Sequence, residues 1–86
     1  MRITGLVTKA PTASGAKGGM RVQVTDRTSG FPCWVGAYPQ GKDGSDKSGP
    51  DALEVLEYGD QVTMEVQPVL NDYKGKTTLG FFWISE

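Results

Sequence analysis

The side chains with most to offer chemically are flat rings and cations. Trp34 and Tyr38 stand four residues apart in FPCWVGAY (31–38), and the preceding segment MRVQVTDR (20–27) carries Arg21 and Arg27. A third ring, Tyr73, lies in NDYKGK (71–76) beside Lys74 and Lys76, and Lys17 stands in the turn-rich stretch PTASGAKGG (11–19). Rings supply stacking faces, and Lys and Arg supply charge to an anionic backbone. A groove that gathers these groups would hold a flexible polyanion with planar groups along it.

Proton transfer and covalent chemistry start from a poor inventory. Histidine is absent and Cys33 is the sole cysteine. That removes the usual general base, every Ser-His or Cys-His nucleophile pair, a cysteine-based zinc cluster and an intrachain disulfide. Cys33 therefore reads as a buried, reduced thiol. Nothing in the pattern sets two of the ten carboxylates face to face across a cleft, so no enzyme and no cofactor are expected. DGSDKSGPDALE (43–54) has the length of a calcium-binding loop, with Asp43 and Glu54 at its ends. It fails in detail, because Lys47 takes a ligand position, Ser48 stands where a glycine is needed and no helix precedes it.

The elements that position these residues follow from size and alternation. With 86 residues, 37% hydrophobic and 22% charged, the chain reads as one domain, 1–86, with a modest core. Such a domain buries only about 60–65% of the surface its unfolded chain exposes, which favours a homodimer or higher oligomer. No apolar run approaches the ~20 residues of a membrane span and no signal-peptide core follows Met1, so a cytoplasmic protein without a membrane partner is expected.

RITGLVTKA (2–10) alternates Ile3, Gly5 and Val7 with Arg2, Thr4, Leu6 and Thr8 and reads as a strand, with a bulge or bend at Gly5. After the 11–19 loop, residues 20–27 place Met20, Val22 and Val24 on one face, with Arg21, Gln23, Thr25 and Arg27 on the other. TSG (28–30) turns the chain into a third strand with Phe31, Cys33, Val35 and Ala37 inward, leaving Trp34 and Tyr38 on the same outer face as Arg21, Gln23 and Arg27. Asp51 and Glu54 frame an N-cap for a two-turn helix over 51–58, with Leu53, Val55 and Leu56 on its apolar stripe, ended by Gly59. QVTMEVQPVL (61–70) points Val62, Met64 and Val66 inward, and Pro68 puts its end at an edge or bulge. NDYKGK is then a hairpin loop, and TTLGFFWISE (77–86) is the last strand. Phe81 and Trp83 are assigned to its core face, and Phe82 and Ile84 to the barrel end or a subunit contact. Three strands, a short helix and a two-stranded hairpin predict an all-β, five-stranded Greek-key barrel of the OB type. An SH3-like barrel is the alternative, disfavoured by the helix.

Charge is distributed unevenly under the net −1. Residues 1–42 carry six cations against Asp26 alone, for +5; residues 43–72 set Lys47 against eight carboxylates, for −7; residues 73–86 return +1. A basic working face with an acidic remainder produces this asymmetry, as solvated charge also can.

ITGLVTKAP, CWVGAY and LEYGDQVTMEVQPVLNDYKGKTTLGF together resemble the OB domain of the bacterial and phage single-stranded-DNA-binding proteins. The resemblance covers most of the chain. It implies sequence-independent binding of single-stranded DNA, with RNA open as a variant, in replication or recombination. The absence of an acidic tail, a second-to-third-strand loop cut to a turn and low basicity imply a small phage or mobile-element form. On this reading Trp34 and Tyr38 stack bases, Arg21 and Arg27 contact phosphates, Lys17 reaches in from its loop, and Tyr73, Lys74 and Lys76 form a finger over the strand. The competing reading is a protein-interaction barrel: Trp34 at a dimer contact, Tyr73 packed on its own hairpin, lysines for solubility and the acidic 43–72 segment docking a basic partner.

Overall fold

The computed structural model describes residues 1–15 and 17–85, with the backbone alone at Tyr73. Its elements are β1 (Arg2–Ser14), β2 (Gly19–Asp26), β3 (Pro32–Ala37), α1 (Ser48–Glu54), β4 (Gln61–Tyr73) and β5 (Lys76–Ser85). The strands close into a barrel in the order β1-β2-β3-β5-β4, because β1 is long enough to pair with both β2 and β4. The pairings are antiparallel except at the closure between β3 and β5, which run parallel at Val35–Phe81 and Gly36–Phe82. Five strands closed in this order, with one short helix between the third and fourth, make the expected OB-type barrel.

Period-two alternation fills the interior. Ile3, Val7, Val22, Val24, Cys33, Val35, Ala37, Met64, Val66 and Phe81 are buried together with Leu53 of α1. Cys33 is a free thiol, and burial, with a smaller contribution from Asp26, raises its pKa. Trp83 and Val62 are partly buried against this cluster, while Phe82 and Ile84 point outward, as the alternation of the last strand predicts.

Gly5 is a point of close approach rather than a bulge. It pairs in register with Asp26 on one side and Val62 on the other, and a Cβ there would lie 2.0 Å from the Thr25 carbonyl oxygen. Gly5→Ala must push β2 off β1. Overpacking of this kind costs about 1–3 kcal/mol, so the melting temperature is expected to drop by on the order of 10 °C. An unchanged melting curve would show that the strands part freely here.

Several boundaries differ from those expected. β1 runs to Ser14 through Pro11, because register shifts between Val7 and Lys9 and again between Lys9 and Thr12 absorb the proline, which has no N–H to offer the ladder. β4 and β5 likewise extend into NDYKGK, leaving a two-residue turn in which Lys74 and Gly75 have φ of 50° and 79°. Two positive φ values match the twist of a hairpin. The helix begins at Ser48 rather than Asp51, since the Asp46 carboxylate accepts hydrogen bonds from the Ser48 N–H at 3.1 Å and hydroxyl at 2.7 Å. It ends at Glu54, which leaves Val55 exposed instead of on an apolar stripe. Phe31, expected inward, is 71% exposed: it precedes β3 in the turn closed by the bond from the Asp26 N–H to the Phe31 carbonyl, beyond the end of the core.

Acid should loosen these local anchors. The Ser48 hydroxyl and N–H hold the Asp46 carboxyl below its usual range, the Ser45 hydroxyl and N–H do the same for Asp43, and the Met1 ammonium, 2.9 Å away, does so for Glu65. Groups depressed on folding contribute fully above the ordinary carboxylate range and lose that contribution as pH falls through their folded values. The melting temperature is therefore expected to hold level from neutrality to about pH 5 and to decline below about pH 4. A melting temperature that rises on acidification would contradict this.

Candidate nucleic-acid interface

Strands β2 and β3 place their polar phase on one outer face of the barrel. Gln23 pairs with Trp34 and Arg21 with Gly36, so the two-residue period of each strand carries Arg21, Gln23 and Trp34 to the same side. Trp34 is half-buried, with the Arg21 guanidinium carbon 4.6 Å and Lys9 Nζ 5.5 Å from its ring centroid. Both separations are within cation–π range.

Tyr38 continues the face at the end of β3. Glycines make its seat: a Cβ on Gly19 would lie 2.5 Å from Tyr38 Cδ1, and one on Gly36 would lie 3.5 Å from Cε2. The Tyr38 hydroxyl is 3.3 Å from Ser14 Oγ, and the ring meets Phe82 edge-to-face, with centroids 5.7 Å apart and planes at 84°. Phe82 comes from β5 and is 40% exposed. It lines this groove because the parallel closure sets it beside Gly36, and it also borders a second cleft with Trp83, Ile84 and Gly49 of the helix.

The groove walls are the two hairpin arms. Ser14 and Arg21 stand on the β1–β2 side and Val69, Asn71 and Gly80 on the β4–β5 side, enclosing a cleft of about 180 Å³ with Trp34, Tyr38 and Phe82 in it. Lys74 and Lys76 are exposed at the tip of the second arm. The Tyr73 side chain lies outside the described residues. Lys17 is exposed in the β1–β2 turn, where it lines a separate cleft with Pro39 and Lys42. Arg27 is placed elsewhere: just past β2, its N–H bonds the Thr4 carbonyl at 2.8 Å, and its side chain lines another cleft with Leu6, Thr8 and Asp26. The structure thus gathers Trp34, Tyr38 and Arg21 and leaves Arg27 outside that cleft.

Lys9 and Phe82 are the residues that sequence reasoning missed here. In strict alternation Lys9 shares the inward phase of Val7, and only the bulge at Thr8 turns it out to pair with Gln23. Thr8 fills that bulge by bonding the Gln23 amide oxygen at 3.0 Å and the Thr25 hydroxyl at 2.9 Å. The threonine cluster and nearby Pro11 are the only sequence signals of the irregularity. The outward phase of Phe82 was legible, but its neighbour across the barrel closure was not.

Among the described residues no group of three or more His, Cys, Asp or Glu could hold a metal ion, and no helix is long and apolar enough to cross a membrane. No protein-family model and no curated protein matches the chain. Among solved structures, the mitochondrial single-stranded DNA binding protein Rim1 from S. cerevisiae is similar over 100% of this chain and 86% of that one, at 11% identity and a TM-score of 0.48. The barrel assignment rests on this chain's own strand order and register.

Proposed function

We propose that the protein is a non-enzymatic binder of single-stranded nucleic acid, DNA foremost, that holds its ligand by stacking and phosphate contact without reading sequence. The observation that carries this reading is Trp34, set on an open barrel face with Arg21 and Lys9 against its ring and the Tyr38–Phe82 pair further along. Base–aromatic stacking contributes about 1–3 kcal/mol per base and tolerates any base, while cations along the same track follow the backbone. In OB barrels the face of the second and third strands, flanked by the loops after strands one and four, is the oligonucleotide-binding side. The matching face here carries the rings and cations. A role in replication or recombination of a phage or mobile element, and assembly into a dimer or higher oligomer, complete the proposal.

The test is a titration with oligo-dT at two salt concentrations, followed by tryptophan fluorescence. Saturable quenching whose affinity falls steeply with salt is expected, with a log–log slope of about −0.7 for each phosphate contacted. No binding at low salt would overturn the reading and point to a protein contact for the same face. A ribo-oligomer run in parallel reports DNA against RNA preference.

A further inference from the structure

The polar, glycine-rich loop after β3 is tied together by its own backbone. The backbone of Gln40 and Asp46 exchanges two hydrogen bonds, at 2.8 and 3.0 Å, which close residues 41–45 into a short ring. Inside it the Gly44 N–H bonds the Gly41 carbonyl at 3.3 Å, and Gly41 and Gly44 take φ of 93° and 70°. Lys42 is thus displayed from a turn whose backbone is tied at both ends. Asp43, its neighbour, folds its carboxylate back onto the Ser45 N–H at 3.1 Å.

Pro39 sits between this loop and the β1–β2 turn. An added Cβ would lie 3.8 Å from Pro39 Cγ at Gly18 and 3.7 Å from Pro39 Cβ at Gly44. Between the two loops runs a cleft of about 520 Å³ lined by Lys17, Pro39, Gly41, Lys42, Asp43 and Gly44. Tyr38 and Pro39 are consecutive and lie against Gly19 and Gly18 respectively, so the two clefts, which share no lining residue, adjoin along the same pair of chain segments. Its two cations come from different loops, and its one anion is engaged within its own turn.

We propose that the Lys17–Lys42 cleft is a phosphate site that continues the single-strand track beyond Tyr38, with Lys42 a binding residue and Asp43 an electrostatic brake on it. The proposal rests on the strand-binding reading of the Trp34 face. It requires a strand long enough to occupy both sites.

Two dT oligomers separate the possibilities, one of about 4 nucleotides and one of about 16, the limits of OB-domain site sizes. For Lys42→Gln, affinity for the longer oligomer is expected to fall severalfold and its salt slope to flatten by about 0.7, with the shorter one bound as by the wild type. Asp43→Asn, which keeps an acceptor for the Ser45 N–H, is expected to tighten the longer oligomer severalfold. Wild-type slope and affinity in Lys42→Gln on the longer oligomer would overturn the phosphate site while leaving the Trp34 face intact. Failure of the wild type to bind either oligomer would overturn the strand-binding reading and this extension together. Circular dichroism melts of both variants establish that the loop substitutions leave the barrel folded.

Discussion

Trp34→Ala is expected to weaken oligo-dT binding by about 1–3 kcal/mol, roughly five- to more than a hundredfold in Kd. The loss has two sources. The indole is the widest flat surface on the face, and its ring also gives Arg21 and Lys9 a fixed seat, at 4.6 and 5.5 Å from the centroid. Without it both long side chains regain rotamer freedom that binding must then remove. Trp34→Phe keeps a stacking surface and should recover most of the affinity. Trp83, partly buried against the core, serves as the internal fluorescence reference in the Ala variant. A double-mutant cycle between Trp34 and Arg21 should give a coupling energy clearly different from zero, since the two groups touch. Equal Kd values for wild type and Trp34→Ala would remove Trp34 from the interface and favour a protein-contact role for this face.

The second large effect concerns the fold. Leu53 is 0% exposed and is the side chain by which α1 joins the buried cluster of the barrel. The helix is seven residues long, too short to be stable alone, so its place depends on what it buries. It can approach closely because of Gly49, where a Cβ would stand 3.0 Å from Ala37 Cβ and 3.3 Å from Trp83 Cε3. Leu53→Ala removes a fully buried isobutyl group and leaves a cavity, at a cost of about 2–5 kcal/mol. For a domain of this size that corresponds to a fall in melting temperature of roughly 10–30 °C. Urea unfolding should show a lower midpoint with an unchanged slope. Well below its melting temperature the variant should still bind oligo-dT as the wild type does, because Leu53 lies in the core and the rings lie on the outer face. Trp34→Ala and Leu53→Ala therefore separate binding from stability. A Leu53→Ala protein that melts like the wild type would show that the barrel end is closed without the helix.

The order of elements and the facing of the regular stretches of strand were determined by the sequence alone. In a strand the side a residue faces is a local property, fixed by the two-residue period. Val22 and Val24 against Arg21 and Gln23, and Cys33 and Val35 against Trp34, declared the inner and outer faces of β2 and β3 before any pairing was known. The same logic placed Phe81 inside and Phe82 outside. What the tertiary structure decided is which outward residues are neighbours. The parallel closure of β3 on β5 brings Phe82 to Tyr38 across 44 residues of chain, a pairing with no local signature. The bulge at Thr8 turns Lys9 from the inward phase onto the Trp34 ring, and an alternation rule cannot foresee a residue that breaks alternation. Arg27 shares the phase of Arg21 yet lies past the end of β2, where β1 rather than β3 is its neighbour, so facing alone assigned it to the wrong cleft mates. Lys17 and Lys42, 25 positions apart, line one cleft only because their two loops converge on Pro39. Facing is written locally in the chain; adjacency is written in the closure of the sheet.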